Sequence, residues 1–374
     1  MDKKIVWGTC WLNESVENLV EFFKLSIRSL SRIGFDTVPI IFDANYTHND
    51  KNINYIKKNI NNVIIIQNKI DIFPNKNYGV ALITNKAYEL NIPYVSIVDS
   101  DWNIQKNYSF VRNIILTLMD YKYDILIPNI GMSAGRSNIL IGKTVVNLFY
   151  PEYKDVLLTT FPGAVVAVTN KLYTIVNNKN YHYDWGGEWD IISLAIKNNM
   201  KINTSFVEVL PARHRPNDSK IKDSFQIWRA ILSNEDIINR FDNLIKYDKK
   251  VKPYNKLSKL LLNKDNSINE MIDIIEKNSS SETEQQLLYM ILYPIAYILG
   301  KIDDVSIIES SNKVLYDEAE INMISDLAIY CCRLTLISCD IAKVCDKSKK
   351  IKGKYFSSWS IETQNKAIKE YEVI

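Results

Sequence analysis

The sequence predicts an α/β fold: a largely parallel sheet with flanking helices, followed by an all-helical C-terminal region. Three observations predict it. Apolar strand-like runs alternate with helix-periodic stretches through the first half of the chain. One of those runs, PYVSIVDSDWNI at 93–104, ends in two carboxylates where an α/β sheet collects its ligands. Beyond a basic, Pro-containing stretch, KYDKKVKPYNK, the remaining segments read as helices.

In chain order, strands are expected at 4–8, 37–43, 62–67, 94–99 and 124–128. Helices are expected between them at 14–33, 51–60, 79–90 and 107–121, the first with apolar residues three and four apart. From 128 to 160 the pattern is irregular, and NIGMSAGRSN reads as a Gly-bearing loop. A strand at 164–168, a helix at 170–176, a turn DWGGEWD feeding a helix, a strand at 201–209 and an amphipathic helix at 225–232 follow. PARHRPNDSK at 211–220 reads as a Pro-bounded polar loop. The tail is expected as helices at 256–263, 268–277, 282–299, 318–340 and 360–371. The implied division is a sheet domain over 1–246, a linker over 247–255 and a helical domain over 256–374.

The 374 residues are 24% charged and 47% hydrophobic, with a net charge of +3. That is ordinary for a globular protein and offers no electrostatic footprint for nucleic acid. The start, MDKKIVWGTCWL, lacks the apolar core of a signal peptide. The longest apolar stretch, at 287–300, is too short to span a bilayer and contains Pro294, so a buried helix is expected in place of a transmembrane segment. Five cysteines, an odd number without a C-x-x-C pair, read as reduced thiols of a cytoplasmic protein. The tail carries no cluster of catalytic residue types; packing, acceptor presentation or homo-oligomerisation are its expected jobs.

Three segments carry chemistry. In an extended chain Asp99 and Asp101 point to one side, with Cα atoms roughly 7 Å apart. Two such carboxylates raise each other's pKa unless a cation sits beside them, and hard oxygen ligands suit Mg²⁺, Mn²⁺ or Ca²⁺. A solvated turn is the plain alternative. His214 lies between Arg213 and Arg215, where two cations can meet phosphate and a neutral imidazole can complete a metal site. His48, in a surface turn, and His182, in a tyrosine-rich stretch, read as structural. DWGGEWD, 184 to 190, packs three carboxylates, two indoles and two glycines into seven residues. It is either a ligand-binding turn or a helix N-terminus whose acids suit the dipole.

In order, Asp99-Ser100-Asp101, Pro162-Gly163-Ala164, Asp184-Trp185-Gly186-Gly187-Glu188 and His214 resemble the motif series of GT-A-fold glycosyltransferases, Rossmann-like nucleotide-sugar enzymes. Within them the series is similar to mannosylglycerate synthase and its retaining relatives, over roughly residues 4 to 235. The resemblance implies that Asp101 and His214 bind a divalent cation, Mn²⁺ or Mg²⁺ with Ca²⁺ also compatible, alongside the donor diphosphate. Asp99 then meets the ribose or the ion, with Ser100 between. It implies a nucleoside pocket of Gly8, Thr9, Asp43 and Gln67, and phosphate contacts from Lys76 and Arg215. Glu188 takes the family acid's role beside the sugar and acceptor, with Trp185, Gly186, Pro162 and Gly163 in the wall and Arg136 on an acceptor carboxylate. The sequence departs from the family in having Glu188 for its Asp, a shorter loop at 131–143 and Pro216 after His214-Arg215. Those differences fall around the acceptor.

The expected activity is transfer of a hexose, mannose or glucose, from a GDP- or UDP-linked donor to a small hydroxyl acceptor with retention of configuration. An inverting enzyme of glycan synthesis, with Glu188 or Asp190 as base, is the alternative within catalysis. Nucleotidyl transfer is disfavoured, because the first strand ends in WGTCWLNE without a Gly-rich phosphate loop. A non-catalytic carbohydrate-binding or scaffold protein is the alternative outside it.

Overall fold

The computed structural model describes residues 3–12, 14–46, 49–99, 109–129, 137–157, 164–206, 217–263, 266–303, 318–353, 355–356 and 359–374. The chain forms two compact units, one of residues 1–133, 162–214 and 357–374, the other of 134–161 and 215–356.

The first unit is built on β1 (Lys4–Trp11), β2 (Asp36–Asp43), β3 (Ile64–Asn68), β4 (Tyr94–Val98), β5 (Ile125–Asn129), β6 (Ala164–Val168), β7 (Ile202–Phe206) and β8 (Tyr371–Val373). Among the described residues these make one sheet in the order β7-β5-β6-β4-β1-β2-β3-β8. β1, β2, β3 and β4 run parallel, as do β5 and β7, while β6 and β8 run antiparallel to their neighbours. This is the expected mostly parallel α/β sheet, made mixed by the antiparallel β6 and β8.

Alternation along β1 sorts its side chains to two helical layers. Ile5, Trp7 and Trp11 join a buried cluster with α1 (Val16–Ser31), α2 (Asp50–Asn59) and α4 (Ser109–Asp120). Gly8 and Cys10 face α3 (Lys76–Glu89) on the opposite side, where a side chain at Gly8 would meet Ile83. The connections reverse beside β1: the chain goes out to β2 and β3 on one flank and returns to β4 on the other. The carboxyl ends of β1 and β4 therefore border a topological switch point, the place where open α/β sheets bind ligands.

Two differences from the sequence reading bear on the site. Helix α3 starts at Lys76, not at 79, because Gly79, a poor residue for a helix interior, is placed there by packing. A Cβ on it would stand 2.3 Å from Phe42 and 2.7 Å from Cys10. The chain terminus is the second: it is helical only over Ile361–Ala367, then returns as β8 against β3. Three residues of strand give too weak an alternation to be seen without the neighbouring edge that pairs with them.

The second unit is helical. It includes Lys143–Phe149, entered through a π-helical turn at Asn138–Gly142, in the stretch expected to be irregular. The helix at 225–232 starts earlier, over Asn217–Ser233, taking in part of the expected loop. No helix or strand occupies 247–255. The long helix expected at 282–299 is interrupted by a π-helical turn, Leu288–Leu292, ahead of Pro294. Proline has no N–H to give to the carbonyl of Met290, and the Trp228 indole donates to it instead at 2.7 Å. Ile341–Lys350 is a helix that the sequence reading missed. No helix among the described residues is long and apolar enough to cross a membrane.

Candidate functional site

Asp99 follows the last residue of β4, at the switch point. The Thr9 hydroxyl, fully buried, donates to the Val98 carbonyl at 2.6 Å and so ties β1 to the strand end that presents Asp99. Thr9 is thus tied to the neighbouring strand, and Gly8 is closely approached by Ile83 of α3. Asp43 and Gln67 stand side by side in the β2–β3 register, at the same edge. The Asp43 carboxylate, 1% exposed, accepts from the backbone N–H and side-chain amide of Asn45 at 3.2 and 2.9 Å.

Lys76, in the first turn of α3, reaches across to two carboxylates from different parts of the chain. Its Nζ lies 3.0 Å from Asp99 Oδ1 and 2.8 Å from Glu188 Oε1. Its ammonium is also 5.7 Å from the centre of the Trp185 ring, within cation–π range. Burial acts to lower the lysine's pKa, but Asp99 and Glu188 outweigh it and hold the group well above its ordinary value. The ammonium that the motif series assigns to phosphate rests here on these two carboxylates. Lys76, Asp99 and Glu188 line one small recess with Asn77, Ala164 and Ile191.

The DWGGEWD segment is a helix start, and its Glu188 lines the recess. Asp184, one residue ahead of Trp185, which flanks the N-terminus of the helix Gly186–Lys197, accepts from the Gly186 N–H at 2.9 Å. The Asn77 amide donates to the Asp184 carbonyl at 2.6 Å, fastening α3 to this turn next to Lys76. Gly187 admits no side chain, since a Cβ would lie 2.2 Å from the His182 carbonyl oxygen and 2.8 Å from Asn77. Close approach of three segments explains the glycine.

Glu188 and Asp190 share that helix but not a direction, as residues two apart do not face each other. Glu188 faces Lys76. Asp190, 3% exposed, accepts from the His182 backbone N–H at 2.7 Å and pairs with His182 Nδ1 at 2.8 Å. Burial raises the Asp190 pKa, with His182 acting against it. Sequence reasoning gave His182 no role, and a lone histidine among tyrosines carries no signal of a partner eight residues on.

Ser100, Asp101, Arg136, Pro162, Gly163, His214 and Arg215 lie outside the described residues. Among the described residues, no three His, Cys, Asp or Glu side chains converge as a metal site. Asp99 is a hard oxygen donor at the switch point, where open α/β sheets bind ligands, and fits Mg²⁺ or Mn²⁺ in chemical type.

No family model matches this chain, and no curated protein does. Solved structures do resemble it. Glucosyl-3-phosphoglycerate synthase from Mycobacterium tuberculosis, in complex with Mn²⁺, UDP and glucosyl-3-phosphoglycerate, is 18% identical, with a TM-score of 0.48 over 62% of this chain and 79% of that one. Mannosyl-3-phosphoglycerate synthase from Rubrobacter xylanophilus is 14% identical, with a TM-score of 0.43 over 68% and 79%. A mannosyltransferase from Pyrobaculum calidifontis, in complex with GDP-Man and Mn²⁺, is 10% identical, with a TM-score of 0.46 over 88% and 85%.

Proposed function

We propose that this chain is a GT-A-fold glycosyltransferase that uses a divalent cation to move a hexose from a GDP- or UDP-linked donor to a small hydroxyl acceptor, with retention. The observation that carries the reading is the convergence of Asp99, Lys76 and Glu188 at the switch point. Three charged groups from β4, α3 and the DWGGEWD helix meet there, although Lys76 and Glu188 are 112 residues apart. The order of sequence motifs supports the same reading.

In the proposed reaction the bond from the anomeric carbon to the diphosphate oxygen breaks, and a bond from the acceptor oxygen to the same carbon forms on the same face. The acceptor's proton passes to a departing phosphate oxygen. As the motif series implies, Asp101 and His214 would hold the divalent cation, with Asp99 on the ion or the donor's ribose. When bound, that ion supplies Lewis-acid stabilisation of the leaving diphosphate. Lys76, kept protonated between its carboxylates, adds fixed positive charge that needs no reorganisation as the phosphate charge develops. It also keeps Glu188 oriented toward the recess, where Glu188 positions sugar or acceptor hydroxyls. The Trp185 ring offers an apolar face to the sugar.

The inverting alternative needs a base opposite the leaving group. Asp190 is poorly suited, being turned to His182, so Glu188 is the stronger candidate. NMR of the product's anomeric carbon separates the two stereochemical courses. A thermal-shift screen of UDP- and GDP-hexoses, with and without Mn²⁺, tests the class itself, since a ligand bound only by the folded state raises the melting temperature. The reading requires a metal-dependent rise with at least one donor. Silence with every donor and metal favours the non-catalytic alternative.

A further inference from the structure

The C-terminal segment reaches back to both elements that carry the Lys76–Glu188 pair. Trp359, 3% exposed, donates its indole N–H to the Pro74 carbonyl at 2.7 Å, two residues ahead of Lys76. The same ring packs 5.2 Å from Tyr78, two residues past Lys76. The ring also lies 5.4 Å from Tyr183, edge-on, three residues before the helix that bears Glu188. The segment is anchored beyond Trp359 as well. The Tyr78 hydroxyl donates to the Ala367 carbonyl at 2.7 Å, and β8 pairs with β3.

A buried aromatic that touches two segments and makes a directional bond to one of them restricts how those segments move against each other. We propose that Trp359 is a positioning residue for the Lys76–Glu188 ion pair, so that residues 359–374 complete the site from the far end of the chain. Its catalytic consequence rests on the transfer reading above. Its geometric consequence does not.

The test is chemical labelling of lysines in the full-length protein with no donor present. Limiting acetylation by an N-hydroxysuccinimide ester, read by peptide mass spectrometry, compares wild type with Trp359→Phe, which keeps a ring and loses the indole donor. Lys343, 86% exposed, is the internal reference. Losing one ordinary hydrogen bond should raise Lys76 labelling roughly fivefold, with Lys343 unchanged. Tyr78→Phe, which removes only the hydroxyl held by Ala367, should raise it in the same direction and serves if the tryptophan variant does not fold. Equal Lys76 labelling in all three proteins overturns the proposal, as does a rise shared by both lysines, which would indicate general loosening. Where the wild type turns over a donor, Trp359→Phe should lower kcat with KM unchanged. A wild type that ignores every donor sinks the transfer reading while leaving the labelling result to stand or fall by itself.

Discussion

Lys76 Nζ sits 2.8 Å from Glu188 Oε1, and the same nitrogen is 3.0 Å from Asp99 Oδ1. One ammonium therefore joins a sheet edge to a helix start, with only 19% of the lysine and 8% of the glutamate side chain exposed.

Replacing Lys76 by Met leaves two carboxylates facing each other, one of them nearly buried. Urea unfolding at neutral pH should show a loss of roughly 3 kcal/mol, the scale for breaking one side of a buried pair. Because the folded-state pKa of Lys76 is raised, its contribution is fully present below the unfolded value of about 10.4 and fades only as pH rises through the folded value. The gap between variant and wild type should accordingly hold steady from about pH 6 to 9. A gap that closes inside that window means the lysine is not held charged.

Asp99→Asn should abolish the metal-dependent part of a donor's thermal stabilisation. A donor at a hundred times its Kd stabilises the wild type by about 2.7 kcal/mol in all, which bounds that part from above. Glu188→Gln should retain donor binding and lose turnover roughly tenfold to a hundredfold, the scale of a charged hydrogen bond lost from a positioned hydroxyl. A donor response by the Asp99→Asn variant equal to that of wild type would falsify the assignment of Asp99.

Gly187→Ala forces a methyl to within 2.2 Å of a backbone carbonyl. Overpacking against backbone cannot be relieved by a rotamer change, so the melting curve should record a loss of about 3 kcal/mol. The turn that aims Glu188 moves with it, and donor binding should weaken in parallel. An alanine variant with wild-type melting would show that the turn has slack.

Asp190→Asn tests the buried acid facing His182. The folded-state pKa of Asp190 is raised, so the group favours the folded state below its unfolded value near 3.9 and that benefit is lost as pH rises through the folded value. Asparagine carries no such dependence and can still accept from the His182 N–H. Relative to wild type, the variant should gain stability between about pH 3 and pH 7, measured by denaturant unfolding at both ends. The opposite slope would mean that the interaction with His182 outweighs burial.

Much of this was legible in the order of residues. The strand and helix alternation over the first half follows from local periodicity, and the structure reproduces β1 to β6 and α1 to α4 with small shifts of boundary. DSD was legible because a strand with no apolar continuation ends there, and DWGGEWD because glycines and acids are costly together. Asn77, His182 and Trp359 were not. Each acts through a partner brought near by the fold, up to 285 residues away, and leaves no mark in its own neighbourhood.

The sequence alone determined the α/β class, the helical region and the carboxylates available at the end of β4, since side-chain alternation and helical period depend only on near neighbours. Tertiary structure decided which of those charges meet. Sheet order put β4 beside β1, α3 was packed close enough to require Gly79, and Gly187 let two segments approach. An ammonium chooses its carboxylates by distance and burial, quantities that exist only once the strands have been laid side by side.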